Sequence, residues 1–183
     1  MKKLITRLVI CTSIAALTPA LALAALKVGT KAPDFTTQAS LGGKVFNYKL
    51  TTELKKGPVI LYFYPAAFTK GCTIEAHDFA EATDKYKALG ATVVGVSNNN
   101  IETLNEFSVS ACRSKFAVAA DTTKSIMQSY DAVLAEKPEY ANRTSYVIAP
   151  DSTIIYEYTS MEPGLHVKNT MQALQDWKNK QPK

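Results

Sequence analysis

The chain has 183 residues, 46% of them hydrophobic and 20% charged. That length supports one domain with a real core, and the composition excludes an unfolded chain, a collagen-like repeat and a disulfide-dense miniprotein. The formal charge is +5, but Lys2, Lys3 and Arg7 supply three of the positive side chains within the first few residues.

Those three residues form a positive n-region. An apolar stretch from Leu8 to Leu23 follows, with Pro19 near its end, and Ala22-Leu23-Ala24 supplies the small-x-small pattern of a signal-peptidase site. Residues 1–24 are therefore expected to be a signal peptide cleaved before Ala25, which implies an exported, periplasmic protein. A retained membrane anchor is the weaker reading, because the run is short for a spanning helix and broken by a proline. A lipoprotein attached at Cys11 would want a small residue where Ile10 stands. Cleavage leaves 18 basic against 16 acidic residues, a net charge of about +2, which gives no case for nucleic-acid binding. It also leaves two cysteines, Cys72 and Cys112, either a structural disulfide or a redox pair.

Along the chain, Val28 to Phe35 is an extended opening segment. Phe35–Thr37 and Lys44–Lys49 can pair as a hairpin around Leu41-Gly42-Gly43. Pro58 to Tyr64 is a continuous apolar, aromatic and β-branched run, the pattern of a strand buried on both faces, and Pro65 ends it. A helix is predicted from near Cys72, with Phe79, Ala82, Tyr86 and Leu89 on one face and Gly90 as its stop. Thr92–Val96 is a second buried strand. Ile101, Leu104, Phe107 and Ala111 mark a further amphipathic helix, and Phe116–Ala119 a short strand. Thr122–Tyr130 is a short helix. Ser145–Ala149 and Thr153–Tyr158 are strands joined by the turn Pro150-Asp151-Ser152, hence antiparallel. Val167, Met171, Leu174 and Lys178 mark a terminal helix. With no repeat or linker in view, residues 25–183 form one α/β domain, a mixed central sheet with helices on both faces in the thioredoxin-like arrangement.

The chemistry concentrates between Phe63 and Glu75, where a buried strand runs into a turn that delivers Cys72 to a helix start. Backbone amides there lack intrahelical acceptors, and the helix dipole favours negative charge at that end. Both favour thiolate over thiol, and thiolate is the nucleophile that attacks peroxides. The same amides can cradle a peroxide oxygen. Thr69 is placed to donate to the sulfur or orient the substrate, and Pro65, with no N–H, to shield the thiolate and shape a small pocket.

Pro65, Thr69 and Cys72 resemble the peroxiredoxin active-site motif Pro-x-x-x-Thr-x-x-Cys. Lys31-Ala-Pro-Asp-Phe35 is similar to that family's opening segment. Phe63-Tyr-Pro65, Gly71-Cys72-Thr73 and Glu75-Ala76 resemble its Q-type branch, the bacterioferritin comigratory proteins. Arg143-Thr-Ser-Tyr-Val-Ile148 resembles the family's arginine strand. The resemblance covers residues 28–178. It implies a thiol peroxidase in which Cys72 attacks hydrogen peroxide or an organic hydroperoxide. Arg143 would hold the thiolate and polarise the O–O bond, and Glu75 would orient Arg143. It implies no haem, flavin or metal, a thioredoxin-like dithiol protein as reductant, and a monomer.

The oxidised Cys72 is a sulfenic acid that must be resolved. Many Q-type enzymes place the resolving cysteine five residues downstream, where this chain has His77. Cys112 is the remaining candidate. It falls in the region where another Q-type subgroup carries its resolving cysteine, and a Cys72–Cys112 disulfide would require local unwinding around both residues. His77 and His166 lack zinc-site spacing with the cysteines. Asn98-Asn-Asn100 is read as a loop and helix cap. Two other classes stay open. A disulfide oxidoreductase would need Cys-x-x-Cys, and Glu75 occupies the second slot. A non-enzymatic holdase would carry a structural Cys72–Cys112 bond.

Overall fold

The computed structural model describes residues 25–181, so the expected leader, residues 1–24, lies outside the described residues. Seven strands and five helices alternate: β1 (Thr36–Leu41), β2 (Lys44–Lys49), α1 (Leu50–Leu54), β3 (Val59–Phe63), α2 (Lys70–Ala88), β4 (Thr92–Ser97), α3 (Ile101–Ser110), β5 (Ala117–Ala120), α4 (Ser125–Ser129), β6 (Thr144–Ile148), β7 (Ile154–Thr159) and α5 (His166–Asn179). A single 3-10 turn, Pro163–Leu165, precedes α5. No helix among the described residues is long and apolar enough to cross a membrane.

The strands form one sheet in the order β2-β1-β5-β4-β3-β6-β7. The central three, β3, β4 and β5, are parallel, and the flanking pairs are antiparallel. This is the mixed α/β sheet that the sequence pattern predicts. The period-2 geometry of a strand sends alternate side chains to opposite faces, so a sheet covered on both faces needs apolar residues at every position. β3 shows this: Val59, Leu61 and Phe63 enter one core with Leu50, Leu54, Ile126 and Met127. Ile60 and Tyr62 enter the other, with Phe79 from α2, Leu104 from α3 and Leu174 from α5.

Three elements differ from the expectation. β1 is longer than Phe35–Thr37 and displaced toward the turn, because it pairs with β5 as well as β2. The helix over Thr122–Tyr130 shortens to α4. Asp121, whose carboxylate accepts from the amides of Ile126 and Met127, ties its first turn down. α1 was not predicted at all. It has five residues and Lys49 at its N-cap makes no side-chain cap bond; its buried Leu50 and Leu54, and the Asp34 carboxylate, which accepts from the Thr51 amide at 3.0 Å, hold it in place.

The second core is built on an aromatic stack. The Tyr62 ring lies 4.4 Å from Phe79 and 5.4 Å from Tyr64, and Tyr64 lies 5.7 Å from Phe107. Such pairs contribute ~0.5–1.5 kcal/mol each beyond their buried area. Tyr62 fits only because its neighbour on β4 is Gly95, where a Cβ would come within 2.6 Å of the ring. Gly95→Ala should therefore cost ~1–3 kcal/mol through overpacking, seen as a lower urea midpoint with an unchanged slope. A midpoint equal to the parent's would mean that the stack has slack.

Candidate active site

β3 is parallel to β4 and antiparallel to β6, with Phe63 opposite Thr144. The end of β3 and the start of β6 therefore meet at one edge of the sheet. Arg143 precedes β6 and Cys72 follows β3 by a short turn, so residues 71 positions apart converge there. The Arg143 Nη2 donates toward Cys72 Sγ at 3.5 Å, and its Nη1 donates to Glu75 Oε2. All three side chains are buried. Gly71 lets the guanidinium in: a Cβ at that position would stand 3.0 Å from Nη2. The Nε donates to the Met161 carbonyl at 3.1 Å, and the Arg143 carbonyl accepts from the Ser160 amide at 3.1 Å, so the loop before α5 clamps the arginine from behind.

Arg143 is thus a cation shared between the Glu75 carboxyl and the Cys72 sulfur. Burial pushes the Glu75 carboxyl up, to about 8, against the pull of the neighbouring guanidinium. Desolvation works against the charge on Arg143, but Glu75 and Cys72 outweigh it and raise its pKa. We take Glu75 as the counter-charge in the resting site, because a guanidinium keeps its proton and would otherwise be a buried cation without an ionised partner.

The turn before Cys72 is pinned and strained. Asn99 accepts from the Ala67 amide at 2.9 Å and from the Ser97 hydroxyl at 3.0 Å, tying it to the loop after β4. Phe68 adopts a left-handed φ of 65°, a conformation that costs a non-glycine residue about 1 kcal/mol or more. Pro65 is half-buried at the end of β3. Thr69 is the N-cap of α2, yet its hydroxyl donates to the Ala66 carbonyl at 3.0 Å rather than to Cys72, and it caps no amide. The first-turn amides are thus left for an incoming oxygen.

Cys72 and Cys112 are both free thiols and both buried. Cys112 lies in the turn after α3, and desolvation drives its pKa far up, so it stays protonated in place. The next two residues, Arg113 and Ser114, have φ of 50° and 55°, left-handed for non-glycine residues. Two exposed ion pairs fasten this turn to α2, Arg113–Glu81 at 3.2 Å and Lys115–Asp84 at 3.0 Å. Desolvation is also the chief cause that pushes up the buried phenols of Tyr62 and Tyr64.

The sequence did not single out His166 as part of this site. It is fully buried, its Nε2 faces the Ser160 carbonyl at 2.9 Å, and its Nδ1 contacts the Ser145 hydroxyl at 2.8 Å. A carbonyl only accepts, so Nε2 carries the proton and Nδ1 accepts from Ser145. Glu75 Oε1, which has no hydrogen-bond partner, lies 3.6 Å from that Nδ1. His77 is half-buried on α2. Among the described residues, no three His, Cys, Asp or Glu side chains cluster as a metal site.

The model of the AhpC/TSA family matches residues 28–157. The chain is 29% identical to peroxiredoxin Bcp of Bacillus subtilis over 85% of its own length and 99% of the relative's. It is 28% identical to the chloroplastic peroxiredoxin Q of Oryza sativa subsp. japonica, over 80% of this chain but 66% of that one, so it spans just under two thirds of the plant protein's length. Among solved structures, the peroxidoxin BcpB of Mycobacterium tuberculosis superposes with a TM-score of 0.75 at 25% identity, covering 82% of this chain and 97% of that one.

Burial depresses the His166 pKa to about 4, below its unfolded value of 6.5. Its contribution to stability is therefore intact above about pH 6.5 and lost as the pH falls toward 4, because the unfolded chain binds the proton first. Glu75 has the opposite sign, its raised pKa weakening the fold as the pH rises, so a comparison is needed to isolate the histidine. The stability difference between the parent and His166→Gln, from denaturant unfolding, should narrow by up to about 3 kcal/mol between pH 6.5 and 4. Parallel pH profiles would exclude His166 as the titrating group.

Proposed function

The chain belongs to the AhpC/TSA family, as a peroxiredoxin akin to the Q and Bcp forms, and from that premise we propose that it reduces hydrogen peroxide and organic hydroperoxides through Cys72. The observation that carries this reading is the Arg143 guanidinium, which donates at once to Cys72 Sγ and Glu75. A charge-assisted donor held in a dry site can stabilise the sulfur anion and then the negative charge that develops as the O–O bond stretches.

The Cys72 thiolate attacks one peroxide oxygen. The O–O bond breaks, the distal oxygen leaves as alkoxide or hydroxide and takes up a proton, and Cys72 becomes a sulfenic acid. Pro65 limits access to the sulfur. Thr69 acts through the turn: its bond to Ala66 leaves the first-turn amides of α2 to receive the substrate oxygen. Glu75 is a positioning residue that aims the guanidinium.

Cys112 is the resolving thiol. It ionises only once its turn leaves the core, since burial holds it protonated. Two left-handed residues and two exposed ion pairs make that turn an easy segment to open. The Cys112 thiolate then attacks Cys72 Sγ, the S–O bond breaks, the sulfenic oxygen leaves as hydroxide and takes up a proton from solvent to become water, and a Cys72–Cys112 disulfide forms. A thioredoxin-like dithiol protein reduces it by exchange. No haem, flavin or metal enters the scheme. The positive n-region and the apolar run from Leu8 to Leu23 support export to the periplasm after cleavage before Ala25, and the similarity to Bcp favours a monomer.

After one equivalent of peroxide, intact-mass measurement should find the parent lighter by two hydrogen atoms, with Cys72 and Cys112 in one bridged peptide pair. Cys112→Ser should gain one oxygen atom and stop, and Cys72→Ser should consume peroxide no faster than buffer. Peroxide turnover by Cys72→Ser with a dithiol reductant would falsify the assignment of Cys72. A stable sulfenic acid in the parent would instead remove Cys112 from the cycle.

A further inference from the structure

At the end of the sheet away from Cys72, where β4 and β5 begin, lies a cavity of about 260 Å³. α2 spans the distance between the two: Thr83, in its wall, is eleven residues beyond Cys72, or about 16 Å along a helix. Val93 and Phe116 line it from the core, and Leu41 and Phe46 are large apolar side chains left exposed beside it.

Its polar lining is one-sided. Tyr48 is 4% exposed and its hydroxyl has no hydrogen-bond partner, and the buried Thr92 hydroxyl has none either. Desolvation keeps the Tyr48 phenol protonated, hence a donor. A buried donor left alone is costly, and native structures seldom keep one without a partner. Three lysines, Lys56, Lys87 and Lys115, flank the cavity against a single carboxylate, Glu53. Lys56 pairs with Glu53 and Lys115 with Asp84, and among the described residues Lys87 makes no ion pair. The site thus offers an apolar wall, two unused hydroxyls and surplus positive charge, and its one carboxylate, Glu53, is taken by Lys56.

We propose that this cavity binds a small amphipathic carboxylate, a straight-chain fatty acid whose tail lies on Val93 and Phe116 and whose head accepts from Tyr48 and Thr92 beside Lys87. At the ~30 Å³ that a water molecule occupies, the volume of about 260 Å³ holds roughly nine heavy atoms, so an eight-carbon acid, with one more, fills it and reaches the exposed Leu41 and Phe46. Binding would also restrain the Cys112 turn. Lys115 and Phe116 belong to that turn, and the neighbouring Ser114 packs on Gly42, where a Cβ would come within 3.1 Å of the serine Cβ. A ligand that touches these residues only when the turn is docked opposes its release. This second consequence rests on the resolving role of Cys112; the binding does not.

Octanoate, octan-1-ol and octylammonium, titrated into the reduced protein by calorimetry, separate these claims. Octanoate should bind saturably, octanol at least tenfold more weakly, and octylammonium not at all. Tyr48→Phe and Lys87→Glu should each weaken octanoate by at least fivefold. Tyr48→Phe removes only an unpaired hydroxyl, so the fold should hold, and a matched far-UV spectrum verifies it. No saturable binding, or binding indifferent to the head group and to both substitutions, overturns the site. With the site occupied, the disulfide should form more slowly after one equivalent of peroxide, while sulfenic acid forms at the same rate. Binding with an unchanged disulfide rate overturns the coupling and leaves the site standing. A failure of Cys112 itself shows separately, as a parent that never forms the disulfide.

Discussion

A guanidinium without water around it must have anions, and that requirement organises this protein. Arg143 is 3% exposed, and the groups its guanidinium faces are Glu75, Cys72 and the Met161 carbonyl. Removing one partner of a buried ion pair costs ~3–5 kcal/mol, because the other charge is left stranded. The fold meets this demand by topology. Antiparallel pairing of β3 with β6 brings the arginine to the end of β3, the helix that follows supplies both the sulfur and the carboxylate, and the loop before α5 closes over the back. The Cys72 sulfur thereby sits beside a buried cation whose charge Glu75 already balances.

Much of this was legible in the chain. The apolar run of β3, the helix from Cys72 to Gly90 and the late hairpin are local patterns, and local patterns survive in sequence. Cys72 at a helix start and Arg143 before a strand were likewise visible, the arginine by family resemblance. What escaped is non-local. α1 has only five residues, too short to form without the core beneath it, and the carboxylate that accepts from its first turn belongs to the distant Asp34 rather than to the N-cap residue. His166 reaches Glu75 across 91 positions, and only the packing of α5 on α2 brings the two together. Asn99, lodged in a run read as loop and cap, does cap-like work for a different segment, while its neighbour Asn100 caps α3 by accepting from Thr103. Thr69 matches its motif but spends its hydroxyl on Ala66, a choice that depends on the turn's dihedral angles and not on residue type.

The two cysteines show how one core can hold two thiols in different surroundings. Cys72 faces a cation and a helix start. Cys112 faces hydrocarbon and aromatic rings, and burial alone suppresses its ionisation. In the proposed cycle, the same desolvation would keep Cys112 from competing for peroxide until its turn leaves the core, and solvation would set the order of reaction.

α2 has a further consequence through the charges at its far end. Glu81 and Asp84, two to three turns beyond Cys72, hold the Cys112 turn through ion pairs whose side chains are 44–70% exposed. Such pairs weaken as dissolved salt screens them, with a Debye length of about 8 Å at 0.15 M. The pair at Arg143 is sealed from solvent and escapes that screening. In the proposed cycle, attack by Cys72 would therefore be insulated from the ionic strength of the medium, whereas release of the Cys112 turn would follow it, so the balance between attack and resolution would become a property of the surrounding electrolyte as well as of the protein.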